Sequence, residues 1–507
     1  MEHMTGAGAS ENTDLTLIQK YFACFAVVPL HARPFFVFFC FGHVLLLLLA
    51  SPVIPVAGDL VVSQLALACA TFAAIRLLSD HPPLNPIQAF VLLFHWWFSV
   101  GPICCTFYYW ISGDRTQLEA YARHPASVVW VVACGLPLYG IAARIAVRFI
   151  ERRRWHARFL MPAGPLYHPG TIIAFTAFAL AIRAVLQLFA MVGAVPFDTL
   201  NYFGGQQVQS TPLAILASAM RVSEFAFVGL LGYLTCPAGT AQGRSFKYLA
   251  VLVGVASMAS AVSSGWKGAF VFPVFYLILL ILVWRQRLPW IVLCATAIFF
   301  ILLVEPFVAT ARQTAEQLQI NTPEERSAVF LARLRDVPSL VPTWRTVNIE
   351  SPFRGIYQSA VSVASMSSAW HGPWDGQSLR DGLSAIVPRA LSPEKQPSNM
   401  GNFFARQLGA TEGDLHSIAI TIPFEFVGNY GFVAGILSFA LIGLLWGAFT
   451  CGLVSAGRLA THPLSPVLIV LLLAVESSVG QFVNQVKMLM FPLALVYLVW
   501  RMRGRVL

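Results

Sequence analysis

Charge is what this sequence has least of. Only 11% of its 507 residues are Asp, Glu, Lys or Arg, while 57% are hydrophobic; a soluble domain averages about 25% charged residues. That scarcity excludes a disordered chain, a nucleic-acid-binding domain and an ordinary soluble enzyme. The nine cysteines sit in or beside apolar runs, with no Cys-x-x-Cys and no Cys/His spacing, and none falls between residues 309 and 430. They read as small apolar packing residues, which excludes a disulfide-stapled secreted fold. No internal repeat or low-complexity tract is visible. No cleavable signal peptide is expected either, because the first long apolar run comes late and continues into a second. What is left is an all-α polytopic membrane protein.

A bilayer core takes about 20 apolar residues per helix. Twelve runs qualify, at 36–56, 58–78, 87–111, 126–147, 170–193, 213–235, 247–264, 268–284, 288–308, 432–455, 465–480 and 487–500. Residues 1–35 read as a cytoplasmic tail and lead-in helix, and 36–308 as nine spans. Residues 309–430 read as one large outer loop with short helices and re-entrant stretches, and 431–507 as three more spans with a basic tail. Counted with both termini inside, seventeen Lys and Arg fall on cytoplasmic segments and four on short outer loops or outer span ends. The net charge of +10 is therefore mostly topology, since cytoplasmic loops collect basic residues. No nucleic-acid partner is expected.

Within the long loop, Thr322-Pro323-Glu324-Glu325 has the N-cap, first-turn proline and acidic residues of a helix start, predicting a short amphipathic helix through Arg335. Residues 353–370 are rich in Ala, Ser and Val and suit a segment dipping part-way into the membrane. Residues 371–415 are dense in Gly, Pro, Asn and charge.

An ionisable side chain inside a span costs roughly 2.5–3.5 kcal/mol on insertion scales, so each one needs a reason. They are Arg183, Arg221, Glu224, Lys267, Glu305, Glu476 and Lys487. Arg183 lies near mid-membrane and the others in the outer half, which points to a polar chamber open to the outer face. Plain structural readings stand beside this one. Arg221 and Glu224 are three apart on one helix and can neutralise each other, Glu476 and Lys487 can pair across a turn, and Lys267 can snorkel. In the loop, Arg312, Arg389, Lys395 and Arg406 read singly as solvated charges. However, Val387–Pro397 fixes Arg389 and Lys395 among three prolines, which stiffen the backbone. Ile418–Gly435 is nearly apolar yet holds Pro423, Glu425, Asn429 and Gly431. A carboxylate in such surroundings is costly to bury and marks a site.

The string PRALSPEKQP, then Gly401, Ser417 and Pro423, then Glu425-x-x-x-Asn429-x-Gly431 before a span, resembles the oligosaccharide repeat-unit polymerases (Wzy-like, O-antigen polymerase type). Ser264-Gly265-Trp266-Lys267-Gly268 resembles that family's small-residue-plus-basic motif. Phe424 stands where the family has Gly, Tyr430 where it has Phe, and Gln396 interrupts the Lys-Pro pair. The resemblance implies a GT-C-like, metal-independent glycosyltransferase in a bacterial inner membrane, acting at the periplasmic face on polyprenyl-pyrophosphate-linked oligosaccharide donor and acceptor. Membrane lipid and a chain-length regulator protein are the other partners it implies. Arg183, Arg221, Lys267, Arg312, Arg389, Lys395 and Arg406, with Asn429, would then hold substrate, guanidinium forks being suited to a pyrophosphate. Glu425 would be the first choice of base for the attacking hydroxyl, with His416 and His371 behind it. Neither an Asp-x-Asp nor a metal cluster is apparent, so no cofactor is expected. An O-antigen-ligase-like transferase, a flippase or exporter of lipid-linked glycans, and a scaffold subunit remain open alternatives.

Overall fold

The computed structural model describes residues 30–32, 34–52, 58–79, 86–113, 125–153, 351–384, 387, 400–408, 419–454 and 478–483, with positions 181 and 185 singly. Among the described residues the protein is all-helical, with no strand. After a 3₁₀ turn at Leu30–Ala32, its helices in chain order are α1 Pro34–Ala50, α2 Gly58–Leu77, α3 Pro86–Ser112, α4 Pro125–Arg153, α5 Ser351–Ser365, α6 Gln377–Ser384, α7 Met400–Gln407, α8 Ile422–Tyr430 and α9 Phe432–Val454. Stretches of three of them, Gly58–Leu77, Phe90–Ile111 and Ala126–Ile150, are long and apolar enough to cross a membrane. This is a membrane-protein architecture. Leu45, Leu49, Ile145 and Leu437 all point outward and exposed, as expected of helices whose solvent is lipid.

The helix ends differ from the sequence expectation in two places. The first span stops at Ala50, not 56, because Pro52 disfavours helical geometry at the residue before it; Ser51 closes the end by hydrogen bonding to the Leu48 carbonyl at 2.8 Å. The fourth begins with Pro125 and runs on to Arg153, so its basic last turns stay helical. The predicted spans at 213–235, 247–264, 268–284, 288–308 and 487–500, that at 170–193 apart from positions 181 and 185, most of 465–480 and the predicted helix at 321–335 lie outside the described residues. The cysteines at 40, 69, 104, 105 and 134 are free thiols, of which Cys40 and Cys105 are buried and Cys69 and Cys134 are exposed.

The packing rests on α4, with α9 and α2 against it. Small residues let the backbones meet, which is how helices associate when lipid removes the hydrophobic drive between them. A Cβ at Gly443 would run into the Tyr139 carbonyl, and one at Gly447 into that of Ala143. Beside this seam runs an aromatic ladder. Phe90, Phe94 and Phe98 share one face of α3 by their four-residue spacing. Phe90 stacks on Tyr139 at 4.5 Å, Phe94 meets Phe439 edge-on at 5.1 Å, and Phe98 stacks on Phe424 of α8 at 5.3 Å. The ladder thus ends one residue from Glu425.

Two polar groups inside this bundle are satisfied across helices. Pro102 lies within α3 and has no N–H for the carbonyl four residues earlier. That carbonyl, Phe98 O, instead accepts from Gln64 Nε2 of α2 at 2.9 Å. His95 joins three helices: one ring nitrogen meets Phe39 O at 3.2 Å and the other Thr71 Oγ1 at 2.9 Å. Since a carbonyl only accepts, Nε2 carries the proton and Nδ1 accepts from the threonine hydroxyl.

Gly443→Val is expected to lower the stability of the detergent-solubilised chain by about 1–3 kcal/mol, because the added methyls force α9 off α4. Gly58→Ala, at a position with nothing within 4 Å, should leave the thermal midpoint nearly unchanged. Equal midpoints for the two variants would show that the seam is not tight.

Candidate functional site

The site forms where α8 turns into α9. Gly431 sits between them at φ 87, a left-handed conformation that costs other residues energy. A Cβ there would also strike the backbone of Ser368, Ala369 and His371. This close approach lets residues 368–376 lie across the junction as a strap. Phe432 N donates to Ser368 O at 2.9 Å, Val433 N to Ala369 O at 3.0 Å, and Trp374 N to Gly428 O at 2.9 Å. The first amides of α9, which have no partner within their own helix, are met by the strap's carbonyls. Gly428 in turn leaves room for the Trp374 ring on the α8 backbone. Trp374 packs on Phe404 at 5.0 Å and Phe403 at 5.9 Å, which seats α7 beside the strap.

Glu425 lies in this nest with no solvent exposure. Its Oε1 accepts from Ser378 Oγ of α6 at 2.9 Å, and its Oε2 from the backbone N–H of Val479 at 2.5 Å. Asn429, one turn on, donates from Nδ2 to Ser378 Oγ at 2.7 Å and to the Glu425 carbonyl at 2.6 Å. One carboxylate therefore fastens three chain segments: α8, α6 and residues 478–483. Burial pushes the Glu425 carboxyl up to about 7, while the hydrogen bonds from Val479 and Ser378 pull against that rise. Three further polar atoms around α8, Thr421 Oγ1, Trp374 Nε1 and Asn429 Oδ1, are buried and have no hydrogen-bond partner among the described residues.

Of the residues expected from the sequence, Glu425 and Asn429 are brought together. Arg406 lies exposed in the last turn of α7, the helix that Phe403 and Phe404 dock on Trp374. His371 is exposed on the strap. Arg183, Arg221, Lys267, Arg312, Arg389, Lys395 and His416 lie outside the described residues. No group of three or more His, Cys, Asp or Glu side chains suited to a metal occurs among the described residues. Compared with known families, curated proteins and solved structures, the chain matches none. The site is therefore read from its own chemistry. Sequence reasoning missed Ser378, an ordinary serine two residues after the Gly372–Gly376 turn cluster. It also missed Trp374, whose only signal was its place between two glycines.

A carboxyl group with a raised pKa binds its proton more tightly in the folded protein than in the unfolded one. Its contribution to stability is then present at low pH and lost as pH rises from 4.5 through about 7. The thermal midpoint of the wild type minus that of Glu425→Gln should fall across this window and level off above it. A difference that stays flat from pH 4.5 to 8 would contradict the buried setting. Ser378→Ala should cost about 1–3 kcal/mol by removing the partner of Glu425 Oε1 and one of the two partners of Asn429 Nδ2, read as a lower midpoint at neutral pH.

Proposed function

We propose that this chain is a membrane-embedded glycosyltransferase that polymerises polyprenyl-pyrophosphate-linked oligosaccharide repeat units. It would work at the periplasmic face of a bacterial inner membrane, through twelve spans of GT-C-like arrangement with both termini cytoplasmic. The observation that carries this reading is a fully buried carboxylate with a carboxyl pKa near 7. It sits in the first turn of α8, in a chain whose preceding sequence sets Arg389 and Lys395 among three prolines. A scaffold has no use for such a carboxylate or for the intramembrane charges.

In this reading the acceptor hydroxyl oxygen attacks the anomeric carbon of the donor sugar. The anomeric C–O bond to phosphate breaks, and its electron pair leaves on the polyprenyl pyrophosphate. Arg389, Lys395 and Arg406, with Arg183, Arg221, Lys267 and Arg312, meet the charge that develops there. The hydroxyl proton passes to Glu425, which requires the hydroxyl to take the place of Ser378 Oγ on Oε1. A base of pKa near 7 is matched to neutral pH. Asn429 Nδ2 also binds Ser378 Oγ and would hold the serine once it leaves the carboxylate.

A deletion strain should lose long glycan chains and retain the one-repeat product; unchanged chain lengths would end the proposal. Arg389→Ala should reduce polymerisation by two to three decades, and Arg389→Lys should remain impaired, since a point charge cannot replace the bidentate fork. Glu425→Gln should keep donor binding while losing most turnover. The wild-type rate should rise with pH up to about 7 and then level off. Reporter fusions after Arg335 and Arg505 should report opposite sides of the membrane.

A further inference from the structure

The strap carries one side chain that none of this uses. Trp370 is 78% exposed, the most exposed of the large hydrophobic residues among those described. The backbone beneath it is fixed. Ser368 N donates to His371 O at 2.8 Å, and Phe432 and Val433 hold the carbonyls of Ser368 and Ala369. The His371 amide also donates to Ser368 Oγ at 3.1 Å. Tyr430, 43% exposed, ends α8 one residue before Gly431, whose backbone lies against the strap, and its phenol rests against Gly376. Asp375, the residue before Gly376, has φ 44, a left-handed conformation uncommon for a residue with a side chain. It too is exposed, as is His371. Two exposed aromatic residues and two exposed polar residues thus lie on the strap or beside it, on backbone held by hydrogen bonds.

We propose that Trp370 and Tyr430 form a stacking platform for a sugar ring of the acceptor glycan, with His371 and Asp375 bonding its hydroxyls. This rests on the polymerase reading for the acceptor's identity. A pyranose presents C–H groups on one face and hydroxyls around its rim. The C–H groups suit the negative face of an aromatic ring, and the rim suits short polar side chains beside it. A rigid Trp binds at little conformational cost. Tryptophan also anchors proteins at membrane interfaces, where its ring sits among lipid headgroups. The exposed Ser368, His371, Asp375 and Gln377 beside it in the chain fit a glycan better than an acyl boundary.

The test uses the full chain in nanodiscs on an array of bacterial oligosaccharide repeat units freed from lipid. Wild type should bind a subset of them, Trp370→Ala should lose at least tenfold in affinity for those, and Trp370→Phe should retain part of it. Trp370 is exposed, so the thermal midpoints should match. Discs containing brominated phosphatidylcholine form the second arm, in which wild type and Trp370→Phe should show the same quenched fraction. Lipid quenching assignable to Trp370 with array binding intact in Trp370→Ala overturns the proposal in favour of a membrane anchor. Absence of array binding by the wild type overturns it as well. Trp370-dependent array binding together with unchanged glycan chains in the deletion strain would remove the polymerase reading and leave the platform standing.

Discussion

In an apolar medium a backbone carbonyl or amide without a partner costs several kcal/mol, and the described arrangement is organised around avoiding that cost. Pro102 deprives Phe98 of its intrahelical donor, and Gln64 reaches from the neighbouring helix to supply one. At the other end of the Phe98 side chain, stacking on Phe424 fixes the short helix α8. That helix must end abruptly for α9 to begin, and the amides exposed by the break are met by the strap. Both of these departures from regular helix are answered by a contact from another segment. Those contacts place the carboxylate.

Glu425 is held by the same logic carried over to charge. Among the described residues no cation meets it; a serine hydroxyl and a backbone amide occupy both oxygens, and converging donors can hold a buried carboxylate. The donors do not fully offset desolvation, so the group is left near neutrality in its titration. A group so poised can give up or take a proton at little cost. A fully ion-paired carboxylate cannot, and a fully solvated one would be a weaker base.

The apolar runs around 58–78, 87–111 and 126–147 were legible because length and composition alone identify a helix able to cross a bilayer. Glu425 and Asn429 were legible for the opposite reason, as polar residues in apolar surroundings. Spacing of four also put them on one face. The end of the first helix at Ala50 was misjudged because hydrophobicity continues past Pro52, and backbone sterics outrank hydrophobicity there. Ser378 and the strap were not legible. Their role comes from a contact between residues about fifty positions apart, and no local pattern encodes which serine will face a carboxylate. Residues 353–370 looked part-polar and re-entrant. Their helix α5 packs Tyr357 against Gly101 near the middle of α3, so the polar residues that weakened the apolar signal belong to a helix lying against a span.

The strap has one more consequence. The start of a helix is ordinarily a ready anion receptor, because its free amides and its positive dipole end both favour phosphate. At α9 the amides of Phe432 and Val433 are already taken by the carbonyls of Ser368 and Ala369. Two oxygen atoms therefore stand where an anion's oxygens would bind. A phosphate arriving at this mouth finds part of the helix's charge already neutralised and must be met by cationic side chains. Binding would then depend on guanidinium and ammonium groups, which unlike backbone amides can be gained, lost or moved by single substitutions. The carboxylate and its clamp could remain constant while the anion's grip was retuned around them.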